Sequence, residues 1–285
     1  MQENSIPPKR KPSWLKIRRS SGEEFSKVKK IVAENQLHTI CQSGNCPNMS
    51  ECWNAGTATF MILGEICTRS CKFCATQTGR PLPPNPAEKI KVARAIRLMK
   101  LKHCVITSVD RDDLPDGGAQ IWADTVVEVR KENPGTTIEV LLPDFKGQKE
   151  DLDKVLAVKP DITSHNLETV KRLTPMVRSA AQYERSLDII RWIREAGLKT
   201  KSGIMVGLGE SFEEVLECMD DLASAGCQII TIGQYLQPTL EHLPVEEYIH
   251  PDVFARYKEE GLKKGFQIVE SNPLVRSSYH AENHI

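Results

Sequence analysis

The chain has 285 residues, 40% of them hydrophobic, enough for one large α/β barrel or two ordinary domains around a real core. Lys+Arg and Asp+Glu both number 38, so the net charge is near zero and gives no global case for a nucleic-acid partner. No stretch approaches the ~20 apolar residues that span a bilayer, so no membrane partner is expected either.

Residues 9–30 are basic, with Lys9, Arg10, Lys11, Lys16, Arg18, Arg19, Lys27, Lys29 and Lys30 against only Glu23 and Glu24. Two readings stand: a solvated, loosely packed tail, or a docking surface for an acidic partner. There is no apolar signal-peptide core, and too little precedes Trp14 for a long organelle transit peptide, so a cytoplasmic protein is expected. In that compartment nine cysteines point to metal or redox chemistry rather than disulfides.

Six of the nine form two triads, Cys41/Cys46/Cys52 and Cys67/Cys71/Cys74. Each is one thiolate short of the four protein ligands that structural zinc takes, whereas a cluster iron left without a protein ligand can accept substrate, cofactor or a fourth residue. Cys104 and Cys227 lie in apolar strand-like runs and Cys218 in a helical pattern, so they read as buried inert thiols.

From the second triad onward, β-rich runs alternate with amphipathic stretches, the pattern of repeated βα units and a parallel sheet. Strands are expected at 58–63, 103–107, 137–142, 161–165, 200–206 and 228–233. Helices are expected at 87–100, 118–132, 148–157, 167–173, 180–196, 211–226 and 251–264. In the helix from Ser211, the pair Ser211 and Glu214 forms a capping box and Gly226 a stop; in the one before it, Tyr183, Leu187, Ile190 and Ile193 face inward. Six units are too few for the closed eight-fold barrel, so the fold expected is α/β, a partial (β/α)6 TIM-like barrel with its site at the C-terminal strand ends. The first triad precedes the first strand, so an N-terminal extension would lie over the barrel mouth.

Cys67-x3-Cys71-x2-Cys74, with Phe73 before the last cysteine, directly follows the first strand and resembles the radical S-adenosylmethionine motif. The resemblance implies that these thiolates hold a [4Fe–4S] cluster whose fourth iron is chelated by S-adenosylmethionine, and that reductive cleavage yields a 5′-deoxyadenosyl radical. Gly203, Gly207 and Glu210 fit the glycine-rich pattern found after the fifth strand in that superfamily, where missing side chains admit a flat ligand. Asn166 and Glu168 fall where members contact the cofactor's ribose and amino group; a helix cap and a first-turn acid is the alternative. Arg178 is placed to meet a carboxylate.

CQSGNCPNMSEC at 41–52, ITSVDRDDLPDGGA at 106–119 and Arg276-Ser277-Ser278-Tyr279 together closely resemble the lipoyl synthase family, over nearly the whole chain. The resemblance implies insertion of two sulfurs, at C6 and C8 of an octanoyl chain carried on a lysine of a lipoyl carrier domain or protein. It makes Cys41, Cys46, Cys52 and a serine of the RSSY motif, Ser278 by that likeness, the ligands of an auxiliary [4Fe–4S] cluster that donates sulfur. Adjacent Ser277 is not separated from Ser278 by spacing. The implied reductant is a flavodoxin- or ferredoxin-type protein. The implied division is an N-terminal extension at 1–56, a barrel at 57–265 and a C-terminal extension at 266–285.

Among the acids Asp110, Asp112, Asp113 and Asp116, a hard-cation site is discounted: Asp116-Gly117-Gly118 is a turn signal and Arg111 has neighbours to pair with. The glycines would bring this loop to the methionyl part of the cofactor, or the loop simply lies on the surface. The rival readings are another sulfur-inserting radical enzyme, such as a biotin synthase or methylthiotransferase, and a non-catalytic carrier of electrons or zinc.

Overall fold

The computed structural model describes residues 10–17 and 22–285, so Lys9, Arg18 and Arg19 of the basic run lie outside the described residues. Eight strands form one sheet in sequential order: β1 (His38–Thr39), β2 (Thr59–Ile62), β3 (His103–Ser108), β4 (Thr137–Leu141), β5 (Ile162–Ser164), β6 (Thr200–Val206), β7 (Ile229–Gln234) and β8 (Ile268–Ser271). β1 runs antiparallel to β2, and every later neighbouring pair is parallel. The order ends at β1 and β8 with no ladder joining them among the described residues, which leaves the barrel open on one side.

The six expected strands are β2 to β7, each within one residue at either end. Every residue of β2 and β7 is buried, as parallel strands covered on both faces require. β1 has two residues, too few to show a period, and β8 buries only Val269 fully. The sheet thus runs past residue 265 and begins before residue 57.

The helices are α1 (Glu23–Glu34), α2 (Ile40–Ser43), α3 (Met49–Asn54), α4 (Glu88–Met99), α5 (Ala119–Glu132), α6 (Lys149–Leu156), α7 (Thr174–Val177), α8 (Tyr183–Glu195), α9 (Phe212–Ser224) and α10 (Pro251–Lys263). The expected capping box of α9 is present: Glu214 N donates to Ser211 Oγ at 3.2 Å, and Ser211 N donates to Glu214 Oε2 at 2.8 Å. Gly226, at φ +87°, follows its end. Tyr183, Leu187, Ile190 and Ile193 of α8 are buried, as are Cys104, Cys218 and Cys227.

Two expectations are corrected. The basic N-terminal run is not a loose tail throughout: α1 buries Val28, Ile31 and Val32 in the barrel's own core, and Leu15 is buried upstream. No helix spans 167–173. Glu168 takes φ +68°, its N–H donates to Gly203 O at 3.0 Å, and its carbonyl accepts from Met205 N at 2.8 Å, so the backbone pairs with β6 instead. A single 3-10 turn, Lys171–Leu173, covers only the end of that stretch and leads into α7, where Pro175, whose fixed φ suits a first turn, follows Thr174.

Candidate functional site

Cys67, Cys71 and Cys74 sit on the loop that leaves β2. Buried Glu88 holds the loop's start by accepting from Leu63 N at 2.7 Å. Farther on, Cys67 N donates to Gln77 O, Lys72 N to Val177 O, and His242 Nε2 to the Cys74 carbonyl at 3.0 Å. The N–H groups of Arg69 and Asp110 both donate to Cys67 Sγ at 3.4 Å, an environment that favours a thiolate. Burial nevertheless raises all three thiols, Cys67 to about 11, so the proton must leave when metal binds.

Sequence reasoning missed Arg69. Its buried guanidinium meets Asp112 at 2.8 Å, Asp144 at 2.7 Å and Asp110 at 3.3 Å, pinning the cysteine loop to the ends of β3 and β4. The acidic run therefore splits. Arg111 does pair with Asp113, and Asp116 Oδ1 does accept from Gly118 N in the expected turn. Asp110, however, faces the cavity with Oδ2 3.9 Å from Cys67 Sγ. Gly117 and Gly118 do not reach the cavity: a Cβ on Gly118 would meet Leu63 Cδ1 at 2.6 Å, so close packing under α5 explains them. A run of four acids carries no periodicity that could have shown this division.

Cys41 lies in α2, Cys46 in the following turn and Cys52 in α3. Cys46 N donates to Cys41 O at 3.1 Å, which curls the segment so that the sulfurs gather. Burial pushes the Cys41 thiol up to about 11; it pushes Cys52 to about 12, with Cys41 and Cys46 as neighbouring negative charges adding to the rise. Beside Cys46 lies the Arg276 guanidinium, which opposes the rise there. Ser278 stands close by, its Oγ accepting from Thr59 Oγ1 at 2.8 Å.

A cavity of about 860 Å³ opens at the C-terminal strand ends and joins these parts. Cys41, Cys46, Cys67, Cys71 and Cys74 line it, with both Ser277 and Ser278; Cys52, a near neighbour of Cys41 and Cys46, is outside the lining. Lys11 and Ile17 of the N-terminal extension close over it, as expected of a segment lying across the mouth.

Asn166, Glu168, Arg178 and Gly203 all line the cavity, and Gly207 and Glu210 do not. With no helix at 167–170 and Val170 preceding the 3-10 turn, the helix-cap reading of Asn166 and Glu168 falls away. Arg178 is set by a relay: its Nη1 donates to Ser186 Oγ at 2.9 Å and to Leu167 O. His165 Nδ1 donates to Leu142 O, since a carbonyl only accepts, so Nε2 accepts from the Ser186 hydroxyl at 2.9 Å. Glu168 is raised by burial and pulled back by the Arg178 cation. Glu210 instead accepts from the N–H groups of Gly207 and Leu208, and a Cβ on Gly207 would lie 2.1 Å from Gln234 Nε2. Those two residues shape the loop.

The donor set fits two clusters and a cofactor. Six soft thiols occupy two short segments, three on each, as iron–sulfur ligation prefers. Among the described residues no group of three or more His, Cys, Asp or Glu is arranged around a single metal ion; cluster ligands bind separate irons and stand apart. Asn166 Oδ1 is buried without a hydrogen-bond partner among the described residues, and it lies 3.1 Å from the space a Cβ on Gly203 would take. An orphan acceptor beside an open cradle suits a bound ligand. No helix among the described residues is long and apolar enough to cross a membrane.

Fold and site define a radical S-adenosylmethionine enzyme: the Radical SAM superfamily pattern matches residues 61–222. Solved structures share the architecture, among them methylornithine synthase (TM-score 0.57, 13% identity, 88% of this chain and 79% of that one). The FeFe-hydrogenase maturase of Carboxydothermus hydrogenoformans (0.54, 14%, 92% and 77%) does so too. At such identities they speak for the fold alone. The lipoyl synthase of Bacteroides fragilis strain YCH46 is 65% identical over 97% of this chain and 96% of its own, and the mitochondrial lipoyl synthase of Nematostella vectensis 56% over 99% and 98%. The chain belongs to the lipoyl synthase family.

Proposed function

We propose that the two triads divide the work of a lipoyl synthase: Cys67, Cys71 and Cys74 hold the cluster that engages S-adenosylmethionine, and Cys41, Cys46, Cys52 and Ser278 hold the one that donates sulfur. The enzyme inserts sulfur at C6 and C8 of a protein-bound octanoyl-lysine, using S-adenosylmethionine and [4Fe–4S] clusters. When bound, these groups supply the radical that takes hydrogen from an unactivated C–H and the sulfide that traps the carbon radical. The observation that carries the reading is that thiols of both triads and Ser278 line one cavity. A radical formed in such a chamber need not diffuse to reach its sulfur source.

The chain's own residues do the positioning. Arg178, locked by Ser186 and His165, offers a fixed cation to the cofactor carboxylate, and Glu168 and Asn166 offer acceptors to its amino and ribose groups. Gly203 leaves room for the flat ring; Gly207 and Glu210 hold the loop behind it. Ile40, Met49, Met61, Leu141, Ile204 and Met205 give an apolar lining suited to an alkyl chain and poor in water. Residues 1–56 act as the auxiliary-cluster extension, 57–265 as the radical barrel, and 266–285 as the segment delivering Ser278. The reductant is a flavodoxin- or ferredoxin-type protein, the setting cytoplasmic, and neither nucleic acid nor membrane takes part.

The test is a pair of triple variants, reconstituted anaerobically. Cys67/Cys71/Cys74→Ala should form no 5′-deoxyadenosine. Cys41/Cys46/Cys52→Ala should still form it while no sulfur enters an octanoyl-lysyl peptide. Reductive cleavage in the first variant, or thiolated product from the second, overturns the division.

A further inference from the structure

Beneath the cavity wall the barrel interior carries a charge pair that the chemistry above does not use. Lys201 and Glu139, both at most 1% exposed, meet at 2.7 Å. Lys201 lies two residues before cavity-lining Gly203 on β6 and Glu139 two before cavity-lining Leu141 on β4, so strand alternation points both inward, one layer down. The third member comes from the far end of the chain. His284, fully buried, places Nδ1 3.1 Å from Lys201 Nζ, and an ammonium only donates, so the imidazole accepts. Lys199 Nζ also donates to the His284 carbonyl at 2.7 Å.

The segment that ends here has crossed the open side of the barrel. Asn48 Nδ2 donates to Leu274 O at 2.7 Å, Thr59 reaches Ser278, and Tyr279 donates to Glu51 at 2.8 Å. Without His284 the buried ammonium would keep Glu139 but lose its second acceptor, a costly loss for a buried charge. The tail is therefore fastened on both sides of the serines: before them through Asn48 and after them through His284.

We propose that His284 is a positioning residue: docked on the buried Lys201–Glu139 pair, it fastens the C-terminal end so that the Ser277–Ser278 segment stays closed against the cavity for sulfur insertion. This rests on the reading of Ser278 as an auxiliary-cluster ligand.

The test uses the full-length holoenzyme carrying His284→Ala, with His284→Asn as the conservative variant, since its Oδ1 can accept from Lys201 where Nδ1 does. Hydrogen exchange at residues 275–279 should quicken roughly tenfold in His284→Ala while β3 to β6 stay protected. Thiolated product should fall roughly tenfold with 5′-deoxyadenosine formation kept, and His284→Asn should restore much of both. Unchanged exchange at 275–279, or faster exchange with coupling intact, overturns the proposal. If His284→Ala unfolds the chain, Lys199→Met decides: it removes only the outer bond to the His284 carbonyl, and no loosening of 275–279 counts against the anchor. Full coupling in Ser278→Ala alongside lost coupling in His284→Ala would sink the serine assignment and leave the anchor standing.

Discussion

Thr59 Oγ1 donates to Ser278 Oγ across 2.8 Å, tying the first residue of β2 to a motif 219 positions away. Cys41, whose sulfur lies by the Thr59 backbone, is thereby brought to the same corner. Of the two adjacent serines lining the cavity, Ser278 is the one that makes this bond.

Ser278→Ala should keep S-adenosylmethionine cleavage and lose most sulfur insertion, while Ser277→Ala should be milder. Thr59→Val removes only the supporting hydroxyl and should cost about 10-fold in insertion, the usual scale for a group that orients a ligand. Ser278→Cys should bind its cluster more firmly and donate sulfur poorly, because a soft thiolate resists leaving iron. The ratio of dithiolated product to 5′-deoxyadenosine reads all four; wild-type coupling in Ser278→Ala refutes the ligand.

The two glycines should part company. Gly203→Ala puts a methyl 2.5 Å from Thr231 Oγ1 and toward Asn166, inside the cavity, so cofactor affinity should drop more than stability. Gly207→Ala combines φ +99° with contacts of 2.1 Å to Gln234 Nε2 and 2.4 Å to Glu247 O, and should destabilise by roughly 2–3 kcal/mol. Equilibrium binding of S-adenosylmethionine and thermal melting of both variants separate the two effects; the reverse order would contradict the geometry.

Ser186 serves two masters, accepting from Arg178 and donating to His165. Ser186→Ala leaves both buried without that partner and should cost about 2 kcal/mol. Binding of S-adenosylmethionine should weaken with it, since Arg178 is no longer held. Chemical denaturation and calorimetric titration check the two halves, and undiminished binding would show that Arg178 needs no such lock.

His165 titrates in a defined window. Burial, helped by the Arg178 cation, lowers it from an ordinary 6.5 to about 4. Between those values the unfolded chain takes a proton that the folded chain refuses, so the His165 contribution is complete above pH 6.5 and lost as pH falls toward 4. The shift corresponds to roughly 3 kcal/mol. The unfolding free energy of wild type minus that of His165→Asn should therefore shrink by roughly that amount from pH 7 to pH 4. A difference flat in pH would show that the histidine is not held neutral.

The extension's charges should matter for a carrier domain and not for a small substrate. Reversing exposed Arg10 and Lys16 should slow encounter with an acidic octanoylated carrier domain and reduce its salt dependence, leaving turnover of a short octanoyl-lysyl peptide intact. Lys11→Glu, which alters the cavity wall itself, should impair both substrates. Equal loss with both substrates in the Arg10/Lys16 variant would exclude a docking role.

Local signals determined much of this protein. Cysteine spacing announced two three-thiol sets, and alternating β-rich and amphipathic runs marked β2 to β7 and most of the helices between them, because strands buried on both faces read as unbroken apolar runs and helices buried on one face display a period. The capping box of α9 and the turn at Asp116 were legible for the same reason: their bonds close within four residues. What only the tertiary structure decided is long-range. Pairing of Glu168 with β6 overrode a helical pattern at 167–170, Arg69 chose its three carboxylates from the two loops after β3 and β4, and α1 became core rather than tail. Ser278 met Thr59, and His284 met Lys201, only once the open side of the barrel had to be covered. Contacts between residues far apart in the chain leave no periodicity behind, so their partners are chosen by where the folded backbone brings buried polar groups that must be satisfied.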